Sequence, residues 1–465
     1  MERSQKGSQG TKRIHAVLVP GFAGFDALGQ IEYYANVTSR FHAFLERAGR
    51  QDVGFTLHYF DNYPTASVET RAGRLAAYLA KRVARGEFQE DDEVALVGHS
   101  TGGLDIRRLV WDLATEPGLK FEVDALPHKA TPGGERIRRL IKRVVFLSVP
   151  HRGTRIADWV WHHACGRAAV VDGLRVSVEA ARAHRLGRLE EGAARSLASR
   201  LGADLFCAVE DALHEAQPRH FRRALEKADA RAAASDLALW LRQISSDFAV
   251  IDDLTWRRSG GSSSPAHFDD RVRGRERELW RRHRIAATSF ATISPRPACL
   301  PPPDEARDPL DPRVLRACTG RNGPDVTYCV CYAACQGPKS ADRSPKEAVA
   351  LGTLRFLSSE DEERIRSWAP RSRIEPSHND GVVNTVSMLS PPAGDSILVA
   401  ADHMDIVGHF ERIPHARRVA GRHRSYDLLA SMSGFGAVAF CEVWDGIFDF
   451  CFLGSPPRAT PATKA

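Results

Sequence analysis

The sequence predicts an α/β fold, with a mostly parallel central sheet, helices on both faces of that sheet and a helical cap inserted between two strands. Short β-branched runs alternate with segments of helical spacing between residues 14 and 147. A glycine-rich box joins one of these runs directly to a helical segment. A proline-poor segment rich in alanine, arginine, leucine and glutamate then interrupts the alternation from residue 155. Because strands that alternate with helices pair in parallel through right-handed crossovers, these observations together indicate the fold class.

The predicted strands are apolar runs that end at turn residues. The first of them, Ile14–Val19, ends at Pro20-Gly21. Between strands, helical spacing places Leu75, Leu79 and Val83 on one face. Strands are predicted at 14–19, 53–60, 93–97, 143–147, 286–293 and 396–401, with a further candidate at 326–334, and helices at 38–50, 68–85, 101–113 and several within 155–250.

Composition excludes several classes of protein. The 465 residues are 43% hydrophobic and 26% charged, which is typical of a globular chain and unlike disordered, collagenous or coiled-coil proteins. No apolar run reaches the ~18–20 residues of a membrane-spanning helix, so we expect no transmembrane segment. The net charge is +7, but the basic residues form neither a stripe nor a known binding motif. We therefore expect no nucleic-acid partner and leave open a transient contact with a lipid interface.

The basic N-terminus lacks the apolar segment of a signal peptide. The chain as given is therefore expected to be cytoplasmic, with secretion by another route left open.

The most informative motif spans 98–103 and reads Gly-His-Ser-Thr-Gly-Gly. It follows the strand at 93–97 and precedes a helical pattern, and Gly-x-Ser-x-Gly in that context is typical of a nucleophile elbow. Side chains at Gly98 or Gly102 would collide with neighbouring backbone in such a turn. We therefore predict that Ser100 is a nucleophile above the sheet, at the positive end of the following helix.

A serine nucleophile needs a general base and an acid that orients the base, which follow the serine in the order acid, then histidine. We predict His403 as the base because it directly follows the strand at 396–401. That position favours it over the other histidines of the region, which are His378, His409, His415 and His423. Asp402 is too close in sequence to His403 to orient it, so we predict Asp380, which precedes a glycine on a loop, as the acid.

An acyl-transfer transition state develops an oxyanion, which two backbone N–H groups should meet. The residue after the nucleophile supplies one of them, Thr101. The loop after the first strand supplies the other, where Gly21 permits close backbone approach and Phe22 N–H is the predicted donor.

Short ordered segments at 17–26, 98–103, 149–154, 379–388 and 402–408 resemble bacterial triacylglycerol lipases of the α/β-hydrolase superfamily. The Asn-Asp-Gly and Asp-His segments are most similar to the staphylococcal and thermophilic-bacillus type. The Gly-Phe-Asp and Pro-His-Arg-Gly-Thr segments are closer to the pseudomonad type. The insert at 160–250 does not match this family.

This resemblance implies an α/β-hydrolase that acts on an ester or acylglycerol, with Ser100, Asp380 and His403 as its triad. Phe22 and Thr101 would form the oxyanion hole. One departure is Pro20, which stands where such lipases have a histidine before the glycine of the oxyanion loop.

The resemblance also raises calcium, which such lipases hold through an acid two residues after the triad histidine. Asp405 fits that place. A second acid belongs about five residues later, where this chain has Phe410 followed by Glu411. Because one oxygen ligand does not make a calcium site, we predict that no metal or other cofactor is required, with a structural calcium near Asp405 as the alternative.

The triad residues must converge, so a single catalytic domain is predicted over 14–454. It includes the cap at about 155–285 and a long loop at 294–325, and disordered tails are predicted at 1–13 and 455–465. The predicted activity is ester hydrolysis, as a lipase or esterase, through an acyl-enzyme intermediate. The alternatives are an acyltransferase that uses the same triad and an inactive hydrolase scaffold used for binding.

Overall fold

A computed structural model of the chain describes the central sheet and most of the helices that flank it. The described residues are 13–22, 24, 27–28, 31–47, 54–116, 118, 133–162, 188, 243, 247, 249–256, 270–300, 326–336, 348–389, 395–411, 427–455 and 457–461. The predicted N-terminal tail lies outside them, apart from residue 13. So do most of the predicted cap and residues 301–325 of the predicted long loop.

The described strands form one large sheet and two short pairs. In chain order they are β1 (Ile14–Val19), β2 (Ala27–Leu28), β3 (Ile31–Glu32), β4 (Phe55–Tyr59), β5 (Glu93–His99), β6 (Ile141–Leu147), β7 (Ala286–Ile293), β8 (Val349–Ala350), β9 (Arg355–Phe356), β10 (Arg373–Ile374), β11 (Ser396–Ala400) and β12 (Thr460–Pro461). The large sheet has eight strands in the order β12-β9-β11-β7-β6-β5-β1-β4. Its neighbours are parallel except β12, which is antiparallel to β9. This arrangement confirms the predicted mostly parallel sheet.

Helices connect the strands and cover both faces of the sheet. In chain order they are α1 (Val37–Arg47), α2 (Val68–Ala84), α3 (Thr101–Thr115), α4 (Gly134–Leu140), α5 (Arg155–His162), α6 (Val250–Leu254), α7 (Asp270–Arg282), α8 (Val326–Gln336), α9 (Ser359–Trp368), α10 (Thr385–Met388) and α11 (Ala437–Leu453). The start of α2 illustrates the local rules, because the Ser67 hydroxyl accepts the N–H of Thr70 at 3.2 Å and satisfies one of its free donors.

The side chains of β1, β5 and β6 alternate between two apolar clusters on opposite faces of the sheet. On one face, Val17 and Val19 of β1 pack with Leu96 of β5 beneath α2, α3 and α4. On the other face, Ala16 and Leu18 of β1 pack with residues of α1 and α11. A parallel sheet that is buried on both faces is the expected result of strand–helix alternation. The predicted placement of helices on both faces is therefore confirmed.

The candidate strand predicted at 326–334 is wrong, because this segment forms the helix α8. Its alternating valine, cysteine and tyrosine residues favour a strand, but packing overrides that preference. Tyr328, Tyr332 and Cys335 recur at helical spacing and are buried together. The helix supports the loop at 379–384, since the Asn384 amide donates to the Cys335 carbonyl at 2.8 Å.

The C-terminal segment also differs from the sequence prediction of a disordered tail over 455–465. Thr460 and Pro461 form β12, which pairs with Arg355 and Phe356 of β9 at one edge of the sheet. A two-residue edge strand that contains proline has little sequence signal of its own. Its position depends on the neighbouring strand.

The predicted cap over 155–285 is described mainly at its two ends, by α5 near its start and by α6 and α7 near its finish. A buried ion pair joins α7 to α3, since Arg107 Nη2 of α3 lies 2.6 Å from Glu276 Oε2 of α7. The parts of the predicted helical segment at 163–187 and 189–242 lie outside the described residues.

Candidate active site

Ser100 occupies the turn between β5 and α3. Its backbone angles are φ 52° and ψ −128°, in a sparsely populated region that costs roughly 1–3 kcal/mol for a residue other than glycine. Its N–H donates to the Leu147 carbonyl of β6 at 2.8 Å, and its own carbonyl accepts the N–H of Gly103 at 3.0 Å. These bonds hold the strained turn at the carboxyl end of the sheet.

The glycines of this turn allow the backbone to approach itself closely. A Cβ atom at Gly98 would lie 2.7 Å from the Cα and N atoms of Gly103. A Cβ atom at Gly102 would collide with the carbonyl oxygen of Val19 at the end of β1. These close backbone contacts explain why glycine is predicted at both positions. The contact at Gly102 also brings the end of β1 against the start of α3.

Asp380 and His403 form a direct pair, in which His403 Nδ1 lies 2.8 Å from Asp380 Oδ2. The same Oδ2 accepts the Thr292 hydroxyl at 2.6 Å, and Oδ1 accepts the N–H groups of Val382 and Val383 at 3.0 and 2.7 Å. Four donors thus surround a fully buried carboxylate and fix its orientation. Because a carboxylate oxygen accepts, a neutral His403 carries its proton on Nδ1 and leaves Nε2 as an acceptor.

His403 lies beside the residue that precedes Ser100. Its carbonyl oxygen is 2.9 Å from His99 Nε2, and the centroids of the two imidazole rings are 4.6 Å apart. Its N–H also donates to the Asp380 carbonyl at 3.0 Å. The structure therefore places the Asp380–His403 pair, through the contact of His403 with His99, beside the turn that carries Ser100.

The other histidines considered from the sequence have different surroundings. His378 Nδ1 accepts the N–H of Glu375 at 2.8 Å, and burial lowers the pKa of His378. His409 Nε2 lies 3.1 Å from the Tyr33 carbonyl. His415 and His423 lie outside the described residues. Among the histidines that the structure describes, His403 is the one placed against Asp380.

The two predicted oxyanion donors lie next to Ser100. Thr101 is the first residue of α3 and directly follows Ser100. A Cβ atom at Gly21 would lie 2.6 Å from the Cβ of Ser100, so the loop after β1 contacts this serine. Phe22 continues that loop and packs against the apolar cluster on the α2 and α3 face.

A buried arginine holds this loop in place. Arg71 of α2 donates from Nη2 to the carbonyls of Pro20 and Gly21 at 2.8 and 3.1 Å, and its Nε lies 3.0 Å from Asp105 Oδ2. Burial raises the pKa of Asp105 to about 6, and the Arg71 charge opposes that rise. In a trans peptide the N–H points opposite to the preceding carbonyl, so this anchoring of Gly21 also orients the Phe22 N–H.

A cluster of three buried carboxylates lies beside His403. Asp402 and Asp405 come from the loop after β11 and Asp427 from a later segment, and one oxygen of each lies within 4.8 Å of the others. Asp405 Oδ2 accepts the N–H of Asp402 at 2.8 Å and the Ser433 hydroxyl at 2.7 Å. Asp402 Oδ1 accepts the N–H of Asp405 at 3.0 Å, whereas its buried Oδ2 has no hydrogen-bond partner among the described residues.

The donor set of this cluster fits a calcium ion. Calcium takes oxygen ligands at 2.3–2.6 Å, so oxygens around one ion lie within about 5 Å of one another. Burial, with the charge of Asp427, raises the pKa of Asp402 to about 7. Burial and the charge of Asp402 also raise the pKa of Asp405 well above its usual range. Without a cation, these carboxylates are costly to keep ionised together.

The second acid of the cluster is not where the resemblance suggested. Glu411 is exposed, and its backbone carbonyl accepts the N–H of Asp427 at 3.1 Å. Asp427 instead joins Asp402 and Asp405, and it was not predicted because residues 412–426 separate it from their loop. Arg71 was also missed, although a charged residue among Val68, Ala72 and Leu75 on an apolar helix face was a usable signal.

Comparisons with known proteins find likeness in fold and none in sequence family. The sequence matches no protein-family profile, and it matches no curated protein sequence. The mature form of a Bacillus licheniformis lipase is similar in structure, at 12% identity and a TM-score of 0.33, over 86% of this chain and 89% of that one.

A metagenomic carboxyl esterase is similar at 13% identity and a TM-score of 0.31, over 95% of this chain and 80% of that one. A phospholipase from Legionella pneumophila is similar at 11% identity and a TM-score of 0.27, over 60% of this chain and 37% of that one. Because these identities and scores are low, the α/β-hydrolase fold rests on the strand order and the elbow. None of the described helices is long and apolar enough to cross a membrane.

Calcium should stabilise the folded chain through Asp427. At a calcium concentration about 100 times Kd, we expect the thermal midpoint of the wild type to rise by about 3 °C relative to the chelated protein. Asp427→Asn should lose this response, whereas Asp91→Asn, which changes an exposed aspartate at the other end of β5, should retain it. Scanning calorimetry with calcium or a chelator measures the shift. A wild-type midpoint that calcium does not change would contradict the site.

Proposed function

We propose that this chain is a serine carboxylic-ester hydrolase, a lipase or esterase, that works through an acyl-enzyme. One observation carries the proposal: a buried Asp380–His403 pair lies beside a serine held on a strained strand-to-helix turn. Each partner matches a chemical role, since a serine becomes a nucleophile when an oriented base removes its proton. A serine, an acid and a histidine in the chain order Ser100, Asp380, His403 support the assignment of these residues as a triad.

In the first half of the reaction, His403 Nε2 takes the proton of Ser100 Oγ while Oγ attacks the ester carbonyl carbon. Asp380 holds the Nδ1–H of His403 and stabilises the imidazolium that forms. The imidazolium then donates its Nε2 proton to the leaving alcohol, and the acyl group stays on Ser100. In the second half, His403 Nε2 takes a proton from water while the water oxygen attacks the acyl carbon. The imidazolium then returns this proton to Ser100 Oγ as the bond between Oγ and the acyl carbon breaks, which releases the acid and restores the hydroxyl.

Negative charge that develops on the carbonyl oxygen would be met by the backbone N–H groups of Phe22 and Thr101. The positive end of α3 lies at the same place and adds to this stabilisation. Loss of one such donor typically lowers kcat by about 10²–10³. Arg71 has an indirect part in this, because it orients the Phe22 N–H through the Gly21 carbonyl.

Calcium, where bound, would be held by Asp402, Asp405 and Asp427 and would supply a structural cross-link for the loop that carries His403. It would take no part in the proton transfers, which the proposal assigns to Ser100 and His403. Its part in the reaction would be to keep the base in place.

The proposed substrates are carboxylic esters, including acylglycerols. Most of the predicted cap lies outside the described residues, so the chain-length preference is left to experiment. An acyltransferase on the same three residues and an inactive scaffold are the alternatives that the following measurement separates.

Replacing the nucleophile should abolish turnover of p-nitrophenyl esters. For Ser100→Ala we expect kcat to fall by at least about 10³-fold, because the acyl-enzyme cannot form. Ser39→Ala, on the exposed surface of α1, is the matched control and should keep wild-type kcat. An ester series from short to long chains, assayed with and without an added alcohol, measures hydrolysis against transfer. Full turnover in Ser100→Ala would refute the proposal, and transfer to alcohol without hydrolysis would favour an acyltransferase.

Replacing the orienting acid should lower the rate without unfolding the chain. In Asp380→Asn an amide NH₂ that faces His403 Nδ1 would favour the Nε2–H tautomer, which cannot accept the serine proton. We therefore expect kcat to fall by about 10³–10⁴-fold with circular dichroism unchanged. Asp395→Asn, an exposed aspartate before β11, serves as the control. Wild-type kcat in Asp380→Asn would mean that another acid orients the base.

A further inference from the structure

A chain of hydrogen bonds crosses the buried side of the elbow and ends on backbone atoms at both sides of Ser100. The Gly21 N–H donates to Tyr33 Oη at 2.8 Å, and Tyr33 Oη lies 2.6 Å from His99 Nδ1. His99 Nε2 lies 2.9 Å from the carbonyl oxygen of His403. Both side chains are buried, and His99 is fully so.

Chemistry fixes the direction of each bond in this chain. A carbonyl oxygen accepts, so the Nε2 of His99 must carry the proton that it shares with His403. In a neutral imidazole the Nδ1 is then an acceptor, and the Tyr33 hydroxyl must donate to it. The Tyr33 oxygen is left to accept the Gly21 N–H. Burial lowers the pKa of His99 and raises that of Tyr33, which favours the neutral forms that this order requires.

The two ends of the chain belong to the two loops that the proposed reaction depends on. Gly21 precedes Phe22, the proposed oxyanion donor, and His403 is the proposed base. Tyr33 and Arg71 hold the two polar groups of the Gly21 backbone. The Tyr33 oxygen accepts the Gly21 N–H, and Arg71 donates to the Gly21 carbonyl. The backbone of Gly21 is therefore fixed at both of its polar groups, and the position of His403 is tied to it through His99.

We propose that Tyr33 and His99 are positioning residues that set the distance between the oxyanion hole and the general base. This role rests on the proposed function and assigns it two residues that do not touch the reacting atoms. A pair of buried polar side chains that only filled the core would not need to end on backbone atoms of both catalytic loops. Misplacement of a reacting group by about 1 Å can cost about 10²-fold in rate, so the bonds need not be strong to matter.

Two substitutions cut the chain at different bonds. Tyr33→Phe removes the hydroxyl and leaves both the Gly21 N–H and His99 Nδ1 without it. His99→Gln can keep an amide donor for the His403 carbonyl but loses the acceptor for Tyr33. Tyr34→Phe is the matched control, because Tyr34 is the neighbouring buried tyrosine and its hydroxyl donates to the Val19 carbonyl at 2.6 Å, outside this chain.

The measurement is kcat and KM for a p-nitrophenyl ester, with kcat expressed per serine titrated by an alkyl phosphonate so that unfolded molecules are not counted. We expect each single variant to lose about 10–100-fold in kcat with KM within about 3-fold of wild type. Because both substitutions cut the same hydrogen-bond chain, the kcat of the double variant should lie within about 3-fold of the kcat of the less active single variant. Tyr34→Phe should stay within about 2-fold of wild type per titrated serine.

Wild-type kcat per titrated serine in Tyr33→Phe would overturn the positioning role, and so would losses that multiply in the double variant. Those results leave the proposed function standing, because the wild type still reacts with the phosphonate and hydrolyses the ester. A wild type that neither titrates nor hydrolyses esters would instead remove the proposed function, and the positioning role with it.

Discussion

The left-handed backbone of Ser100 is the constraint on which the rest of the site depends. Ser100 follows β5 at the level where β1 and β6 also end, since Gly98 pairs with Val19 and His99 with Leu147. The strain of roughly 1–3 kcal/mol is held by the surrounding core, since the strands and α3 are buried on both faces. A serine on an ordinary turn would not project above the sheet at the start of a helix.

Around that constraint, the protein satisfies its buried polar groups in two different ways. The carboxylate of Asp380 accepts four hydrogen bonds from its own chain, and Arg71 is likewise matched by Asp105 and loop carbonyls. Removing one partner of such a buried charge typically costs about 3–5 kcal/mol, so these groups rigidify the loops that they join. Asp402 differs from them, because one of its buried oxygens has no hydrogen-bond partner among the described residues. A bound cation could pair with that oxygen.

The parts of this structure that sequence predicts are those set by local rules. Strand–helix alternation and the glycine spacing of 98–103 place the sheet and the elbow, because burial on both faces and backbone collision act within a few residues. Asp380 and His403 follow from chain order and from positions after strands, and the structure pairs them. The helix over 326–336 was missed because its valines and aromatic residues favour a strand until neighbouring packing is known.

Other parts depend on contacts between distant segments, which one sequence does not display. Asp427 joins Asp402 and Asp405 across a stretch of chain with no fixed spacing, and β12 takes its place from β9. Tyr33 and His99 lie 66 residues apart, and each has an ordinary alternative role as a core residue. Their positioning role can be inferred once the direction of every hydrogen bond between the two loops is known.

The most direct test of the central claim is to identify the residue that an active-site-directed alkyl fluorophosphonate modifies in the wild-type protein. Peptide mass mapping should find one phosphonate adduct, carried by Ser100, because the proposed base His403 would activate that hydroxyl. The phosphonyl group would bond to Oγ with loss of fluoride and of the hydroxyl proton. An adduct on a different serine, or a folded protein that takes up no phosphonate, would contradict the account.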